Sequence, residues 1–399
     1  MGKQSRFALY GLLGALASFS SFSAYCQSNW QPAWASAPQA PFTQGISHDG
    51  FAEQTLRMVV HPNQVGEKLR LHFSNRFGHS PVTFAQVSVA RQATGAAVIN
   101  NTLHPVTFNH GQTSITVLPG AQAISDSINE PIQANENLVV SVYIKQKAQD
   151  LCWHQDAVQT NYIASGDQSK SVDGKVFTKT ITSWFWLDGV DVLSEDKTAG
   201  TVITFGDSIT DGHRSSVDSN HRWPDYLNQR LSANQSHHFV VLNEGISGNR
   251  ILQDTEKFGI SALARLDEDV LSQSNVHSVI FLEGINDIGH GNYHPQTIIN
   301  GIEQVAEQLH AHNIKLLVGT LLPFKGAKYD TPEGQKTRDA VNHWIRTSKD
   351  IDGVVDFAKA MQTAGDPAQL AAKYDSGDHL HPNDAGYKFM ASLVNASSL

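Results

Sequence analysis

The sequence predicts a protein of two domains, an all-β sandwich or jelly roll followed by an α/β domain built on a parallel sheet. Its 399 residues suggest two or three domains at roughly 150 residues each. Hydrophobic residues make up 40% of the chain and charged residues 17%, which suits sizeable cores and excludes a disordered chain. The pattern also changes near residue 200, from short alternating runs to strands that alternate with helices.

The N-terminal segment, residues 1–26, is expected to be a signal peptide. Lys3 and Arg6 form a short basic region, and the apolar run that follows is shorter than the roughly 20 residues of a membrane-spanning helix. Small residues then follow at the spacing of a signal-peptidase site. We therefore predict an exported, soluble protein, secreted or periplasmic. A lipid anchor at Cys26 is not favoured, because bulky Tyr25 precedes it.

Composition and charge exclude several classes of protein. Two cysteines exclude a disulfide-dense scaffold and a cysteine-rich metal site. A bridge between Cys26 and Cys152 is allowed if signal cleavage leaves Cys26 in the mature chain, since export leads to an oxidising compartment. The net charge is −9 and no basic run occurs, so we expect no nucleic-acid partner. No later stretch approaches the length of a membrane span, and we expect no stable membrane insertion.

Residues 27–199 show the pattern of an all-β domain. Apolar and polar residues alternate in short runs separated by turn residues, without a convincing helical period. The main runs are 69–73, 84–89, 115–117, 138–144 and 184–192. Many short strands of this kind are typical of a sandwich or jelly roll.

Residues 200–399 show the pattern of an α/β domain. Apolar strands are predicted at 202–205, 239–242, 278–282, 316–321 and 354–357. Helical spacing of apolar residues predicts helices over 295–312 and 332–348, each with a proline at its start. Strands that alternate with helices indicate βαβ units and a parallel sheet covered on both faces.

Four short polar segments follow the ends of predicted strands or lie near the C-terminus. They read FGDSITDG at 205–212, GISGNR at 245–250, GIND at 284–287 and DSGDHLHPN at 375–383. Ligands bind beyond the carboxyl ends of the strands of a parallel sheet. Ser208 lies in a glycine-containing strand-to-helix turn, where a nucleophile projects and the following N–H groups face an anion. Taken alone, Ser208 is equally well explained as a helix cap.

The four segments, in this order, resemble the SGNH subgroup of the GDSL family of serine esterases and acylhydrolases. The resemblance extends from Thr201 to the end of the chain. It implies a flavodoxin-like three-layer hydrolase domain that needs no cofactor and no metal. One position departs from the family name, because Ile209 stands where the family has leucine. This aliphatic exchange puts none of the implied roles in doubt.

The resemblance assigns roles to five residues. Ser208 is the implied nucleophile, His381 the general base and Asp378 the carboxylate that orients it. A neutral histidine takes a serine proton near pH 7, and a carboxylate three residues earlier reaches the other ring nitrogen. The implied oxyanion hole consists of the Ser208 and Gly248 backbone N–H groups and the Asn286 side-chain amide. Glycine permits close approach of the backbone, and the amide donates to the developing charge.

A metal site is the alternative interpretation of four side chains near the C-terminus: Asp375, Asp378, His379 and His381. Two histidines separated by one residue on an extended segment chelate borderline metals. The presence of all the implied hydrolase residues favours the hydrolase interpretation.

Other residues near the segments have structural interpretations. Asp211 and Asp287 are expected to accept backbone N–H bonds within their turns. Arg250, next to Asn249, is expected to pair with a local carboxylate rather than to line the pocket. Three tryptophans of the first domain suit either a sugar-stacking platform or, as we expect, the sandwich core: Trp153, Trp184 and Trp186.

The sequence therefore predicts an exported serine esterase that forms an acyl-enzyme. The favoured substrates are short-chain carboxylic esters, above all O-acetyl groups on small or polymeric carbohydrate. This preference rests on export and on the accessory β domain, by analogy with some carbohydrate esterases of the family. A lipase or arylesterase is the alternative of the same class, although no long apolar lid is visible. An acyltransferase would use the same triad, and a non-catalytic carbohydrate-binding protein is disfavoured by the complete residue set.

Overall fold

The computed structural model describes residues 29–134, 136–195, 200–232, 239–291 and 293–399. The predicted signal peptide, Cys26 and any pairing of Cys26 lie outside these residues, as does the segment before the predicted domain boundary at residue 200. Cys152 is buried, and burial raises the pKa of its thiol to about 12. Within the described ranges, no helix has the length and apolar character needed to cross a membrane.

The N-terminal domain consists of antiparallel strands. The strands are β1 Trp30–Ala35, β2 Gln54–Val60, β3 Lys68–Ser74, β4 Val82–Phe84, β5 Gln86–Thr94, β6 Ala97–Val98, β7 His104–Pro105, β8 Ile115–Val117, β9 Gln122–Ile124, β10 Leu138–Ile144, β11 Trp153–His154, β12 Asn161–Ser165, β13 Lys179–Ile181, β14 Trp184–Phe185 and β15 Leu187–Leu193. A short helix, α1, spans Ile46–Asp49. One main sheet has the order β1-β15-β3-β9, and the other has the order β13-β12-β2-β10-β5-β6 with β7 beside β5.

Both main sheets contribute to one apolar core, which makes this domain a sandwich. Leu71 of β3 and Val190 of β15 meet Met58 of β2 and Val140 of β10 in the same buried cluster. The three tryptophans that suited either a core or a sugar platform all lie in this cluster and are buried: Trp153, Trp184 and Trp186. The core interpretation is therefore correct, and these rings do not form an exposed sugar platform.

Two of the predicted runs are divided in the structure. The run 184–192 breaks at Trp186, whose φ of +59° lies in the left-handed region. This break lets β14 pair with β11 while β15 pairs with β3. The run 84–89 is likewise divided into β4 and β5, which belong to different sheets. Alternation alone does not reveal where a strand changes its partner.

The C-terminal domain alternates strands and helices. The strands are β16 Gly200–Gly206, β17 Phe239–Gly245, β18 Val276–Leu282, β19 Lys315–Gly319, β20 Gly353–Val355, β21 Gln362–Thr363 and β22 Asp366–Leu370. The helices are α2 Ser208–Asp211, α3 Trp223–Ser232, α4 Ala262–Leu266, α5 Pro295–Ala311, α6 Pro332–Thr347, α7 Phe357–Met361 and α8 Asp384–Leu393. Short 3₁₀ turns lie at Asn100–Thr102 and Ala396–Ser398, and π-helical turns at Asp267–Leu271 and Asp287–Gly291.

Five of these strands form a parallel sheet in the order β17-β16-β18-β19-β20. With the strands numbered within the domain this order is 2-1-3-4-5, the flavodoxin-like arrangement. Successive residues of β16, such as Val202 and Ile203, are fully buried, so both faces of the sheet are covered. The predicted α/β fold with a parallel sheet is confirmed.

Helices α5 and α6 match their predicted spans to within one residue, because proline opens each of them and an apolar face is buried. The predicted ends of two strands are wrong. The run 316–321 leaves the sheet after Gly319, and the run 354–357 leaves it after Val355. The side chain of Asp356 accepts the Lys359 backbone N–H and so caps α7, which ends the strand early.

The register of the sheet brings three strand ends to one edge. Gly206, the last residue of β16, lies opposite Gly245 of β17 and Leu282 of β18. The loops that follow these three strands therefore start side by side. They carry three of the four polar segments singled out in the sequence.

Candidate active site

Ser208 is the first residue of α2, directly after the turn at the end of β16. The turn is tight, because a Cβ on Gly206 would lie 2.3 Å from the Leu282 carbonyl oxygen. The Asp207 carboxylate accepts the Ile209 backbone N–H at 3.0 Å and caps the helix. The Ser208 hydroxyl is thus free for another partner, and its Oγ lies 2.9 Å from Nε2 of His381.

The loop before α8 supplies His381 and Asp378. Oδ2 of Asp378 lies 2.8 Å from Nδ1 of His381. Oδ1 of Asp378 accepts the backbone N–H groups of Leu380 and His381 at 3.0 and 2.9 Å. The guanidinium of Arg214 adds a contact of 3.3 Å to Oδ2. Both oxygens of the carboxylate are therefore held, and Oδ2 in turn holds the imidazole ring.

The protonation states of this pair suit proton transfer from Ser208. Burial lowers the pKa of His381 below its ordinary value, although the hydrogen bond to Asp378 opposes the shift. Burial would raise the pKa of Asp378, but hydrogen bonds from the ring and backbone of His381 outweigh it and hold that pKa well below its usual range. At neutral pH the neutral ring donates Nδ1–H to the carboxylate and presents the Nε2 lone pair to the serine hydroxyl.

Hydrogen bonds join the loops after β16, β17 and β18 at this edge. The Ile246 backbone N–H donates to the Gly206 carbonyl at 3.0 Å. The side-chain amide of Asn286 donates to the Asn249 carbonyl at 2.9 Å. Gly248, which directly precedes Asn249, is therefore held near both the Ser208 turn and the Asn286 amide.

The three N–H groups of the predicted oxyanion hole are unpaired in the part of the chain that the structure describes. Among the described residues, the backbone N–H groups of Ser208 and Gly248 have no acceptor, and the second amide N–H of Asn286 has none. Gly248 adopts φ +84°, and a Cβ there would lie 2.2 Å from the Phe258 ring. A side chain at this position would displace the loop, so glycine is required.

The Asn286 amide is oriented from its other side as well. Tyr329 donates its hydroxyl hydrogen to Oδ1 of Asn286 at 3.0 Å, and Nε2 of His290 lies 2.6 Å from the same hydroxyl. Burial raises the pKa of Tyr329 to about 12, so the phenol stays protonated. With its oxygen bound to Tyr329 and one N–H bound to Asn249, the amide plane is set.

Beneath these loops lies the buried guanidinium of Arg265. It donates to Oδ1 of Asn249, to the Gly206 carbonyl and to Asp269, each at 2.9 Å. One side chain thus links the end of β16 to the residue whose carbonyl holds Asn286. Sequence inspection gave no sign of this role.

Other residues singled out in the sequence have structural roles. Asp287 accepts the backbone N–H groups of Ile251 and Leu252 at 3.0 and 3.2 Å, as expected of a structural carboxylate. Among the described residues the ion pair expected for Arg250 is not found, and its guanidinium donates to the amide oxygen of Gln253 at 2.7 Å.

Asp211 reaches beyond its own turn. Its Oδ2 accepts the backbone N–H of Ser247 at 2.8 Å and the hydroxyl of Ser247 at 2.7 Å. Its Oδ1 lies 3.1 Å from Nε2 of His154, a residue of the N-terminal domain. Asp211 is therefore structural, but it joins two loops and two domains.

The side chains of the alternative metal interpretation form two separate pairs. Nδ1 of His379 lies 2.6 Å from Oδ2 of Asp375, while His381 pairs with Asp378. No group of three or more histidine, cysteine, aspartate or glutamate side chains suited to a metal ion occurs in the part of the chain that the structure describes.

Sequence reasoning missed two residues next to the candidate triad. His213 packs edge-on against His381, with ring centroids 4.7 Å apart. Asp156 of the N-terminal domain lies 2.6 Å from Nδ1 of His213. His213 directly follows the Ser208 segment and could have been singled out on that ground. Asp156 lies in the β-rich half, and no sequence signal connects it with the site.

Comparison with known proteins places the C-terminal domain in a family. Residues 204–389 match the sequence model described as the GDSL-like lipase/acylhydrolase family. These residues therefore form a domain of that family. The chain has no match among curated protein sequences.

Several solved structures resemble about half of this chain. A lipolytic protein of the G-D-S-L family from Desulfitobacterium hafniense is 23% identical, with a TM-score of 0.40, over 50% of this chain and 99% of that one. A GDSL-like lipase from Bacteroides thetaiotaomicron is 24% identical, with a TM-score of 0.39, over 50% and 87%. A carbohydrate acetylesterase from Sinorhizobium meliloti is 16% identical, with a TM-score of 0.37, over 48% and 94%.

Proposed function

We propose that this protein is a serine esterase that hydrolyses short-chain carboxylic esters through an acyl-enzyme on Ser208. The observation that carries the proposal is the hydrogen-bonded chain from Ser208 to His381 to Asp378, with distances of 2.9 and 2.8 Å. These two hydrogen bonds join a hydroxyl, a neutral imidazole and a carboxylate in the order that activates a serine.

In the proposed reaction, Nε2 of His381 takes the Ser208 proton as Oγ forms a bond to the ester carbonyl carbon. The carbonyl oxygen becomes an oxyanion and accepts hydrogen bonds from the free N–H groups of Ser208, Gly248 and Asn286. When the tetrahedral intermediate collapses, the bond to the alcohol oxygen breaks and His381 returns the proton to that oxygen. Water then attacks the acyl-serine with the same proton path, and the carboxylic acid leaves.

We further propose that the natural substrates are O-acetyl groups on carbohydrate. Polar side chains form part of the rim of the site, since Arg214 contacts Asp378 and His290 contacts the tyrosine that holds Asn286. Such a rim favours an alcohol with hydroxyl groups over a long hydrocarbon. The Phe258 ring packs against Gly248 beside the proposed oxyanion hole, which favours a small acyl group.

Export from the cytoplasm is part of the proposal and rests on the basic, apolar and small-residue pattern of residues 1–26. Cell fractionation and N-terminal sequencing of the mature protein test it. Appearance of the uncleaved chain in the cytoplasm would contradict export.

The activity is tested with p-nitrophenyl esters of increasing chain length and with acetylated polysaccharides, for wild type and Ser208→Ala. We expect the highest kcat/KM for acetyl esters and a loss of at least 10³-fold in the folded variant. Near wild-type turnover of Ser208→Ala would overturn the assignment. A preference for long acyl chains would indicate a lipase, and acyl transfer to an added sugar in preference to water would indicate an acyltransferase.

A further inference from the structure

Two side chains of the N-terminal domain, His154 and Asp156, reach the loops that carry the candidate catalytic residues. Nε2 of His154 lies 3.1 Å from Asp211, and Oδ2 of Asp156 lies 2.6 Å from Nδ1 of His213. Asp211 and His213 follow Ser208 closely in the chain. These contacts therefore join the N-terminal domain, which has no role in the proposed reaction so far, to the segment that follows Ser208.

We propose that Asp156 is a positioning residue for the general base, and that the N-terminal domain thereby completes the active site. In this arrangement Asp156 holds the His213 ring against His381. The inference rests on the proposed function of His381 as the base, and it adds a role for the N-terminal domain in that same site.

The geometry ties His213 firmly in place. Its ring lies edge-on to His381, with centroids 4.7 Å apart and planes inclined by 66°. Its backbone is anchored twice, since its N–H donates to the Ser208 carbonyl at 2.9 Å and its carbonyl accepts the Tyr387 hydroxyl at 2.6 Å. The one remaining freedom is rotation of the side chain, and the bond to Asp156 removes it.

Asp156 also contacts the loop of the proposed oxyanion hole. Its Oδ2 lies 3.1 Å from Oγ of Ser247, the residue before Gly248. The same Ser247 is bound by Asp211, whose other oxygen meets His154. The same segment of the N-terminal domain therefore contacts both the histidine beside the proposed general base and the loop of the proposed oxyanion hole.

The charges around the two rings give the arrangement a chemical consequence. The hydrogen bond to Asp156 raises the pKa of His213 above its ordinary value, against the effect of burial. The charged groups that face His213 are Asp156, Asp211 and Arg214, and those that face His381 are Asp378, Arg214 and His213 itself. A protonated His213 therefore opposes protonation of His381 and helps to keep the base neutral.

Removal of the Asp156 charge is expected to leave the domains docked. Asp218 accepts hydrogen bonds from Gln159 and from the backbone and side chain of Thr160. Arg222 donates to the Ala157 carbonyl. These contacts hold the neighbouring segment in place, so Asp156→Asn should fold.

The first measurement is the pH profile of kcat/KM for p-nitrophenyl acetate with Asp156→Asn and His213→Gln. In His213→Gln the positive charge beside His381 is lost, so the pKa of His381 rises and the acid limb moves to higher pH, by roughly half a unit to one unit. In Asp156→Asn the pKa of His213 falls, and the acid limb moves in the same direction by less, because His213 then carries its charge over a narrower range of pH. The matched control is Asp150→Asn. Asp150 pairs with His48 at the same distance of 2.6 Å, in the same domain and outside the site. The pH profile of Asp150→Asn should match that of the wild type.

The second measurement is an NMR titration of the His381 ring in the wild type and both variants, and of the His213 ring where it is present, which needs no turnover. We expect a fall in the pKa of His213 and a smaller upward shift of the His381 pKa than His213→Gln produces. An unchanged pKa of His381, or a fall in kcat/KM that is uniform over pH, would overturn the inference and leave Asp156 with a purely structural role. Turnover by Ser208→Ala would instead overturn the proposed function, and the titration would still decide whether Asp156 acts on His381.

Discussion

Tyr329 donates its hydroxyl hydrogen to Oδ1 of Asn286 at a distance of 3.0 Å, from a loop 43 positions further along the chain. The opposite side of the amide donates to the Asn249 carbonyl. The two bonds leave one amide N–H of Asn286 without an acceptor among the described residues. Because Tyr329 is neutral and orients the amide of Asn286, it affects the reaction through that amide.

Replacement of Tyr329 by phenylalanine should therefore lower kcat about tenfold, the value of one hydrogen bond of ordinary strength. KM should change little, because the amide is needed most by the developing oxyanion. The matched control is Tyr293→Phe, since the Tyr293 hydroxyl lies 3.4 Å from Gln253 and does not contact Asn286. Steady-state kinetics of both variants on p-nitrophenyl acetate provide the test. A wild-type kcat for Tyr329→Phe would show that the amide is oriented without the phenol.

Asn286→Ala should have a larger effect, a fall in kcat of roughly 10²-fold, because an oxyanion donor is lost outright. The double variant Tyr329→Phe/Asn286→Ala should be no worse than Asn286→Ala alone, since Tyr329 acts through this amide. The four enzymes form a double-mutant cycle measured by kcat. An effect of Asn286→Ala confined to KM would point to substrate binding instead.

Gly248→Ala should destabilise the protein and reduce kcat. An alanine at φ +84° is strained by about 1–2 kcal/mol, and its Cβ would clash with the Phe258 ring 2.2 Å away. Gly120→Ala is the matched control, because Gly120 has φ +77° but open space around it. Thermal unfolding should show a larger loss for Gly248→Ala than for Gly120→Ala, and only Gly248→Ala should lose activity. Equal losses of stability would mean that the ring moves aside without cost.

Asp378→Asn should lower kcat/KM, by as much as about 10⁴-fold if the amide stabilises the wrong tautomer of His381. The pKa of His381 is already lowered by burial, and Asp378 opposes that shift. Loss of the negative charge therefore lowers this pKa further, and the acid limb of kcat/KM should move to lower pH. This direction is opposite to the one expected for Asp156→Asn.

The matched control for this variant is Asp375→Asn. Asp375 pairs with His379 in the same loop at 2.6 Å and has no contact with Ser208 among the described residues. Its acid limb should stay in place. An acid limb of Asp378→Asn that stayed in place or moved upward would contradict the pairing of Asp378 with His381.

The local pattern of apolar and polar residues predicts much of the fold. Helices α5 and α6 and the five parallel strands were predicted close to their observed positions, because burial of one face imposes a period that depends only on the local backbone. Where local chemistry competed, the prediction failed. Asp356 ended a strand early by capping α7, and Trp186 divided a predicted strand by adopting a positive φ.

The sequence by itself determined the two fold classes, the places where polar segments follow strands, and the candidate residues Ser208, His381 and Asp378. Their catalytic roles stay predictions that the proposed variants test. Tertiary structure alone decided the strand order of the N-terminal sheets, the hydrogen bond from Tyr329 to Asn286, and the contact of Asp156 with His213. These contacts join residues far apart in the chain, and no periodic or local signal encodes which distant groups packing will bring together.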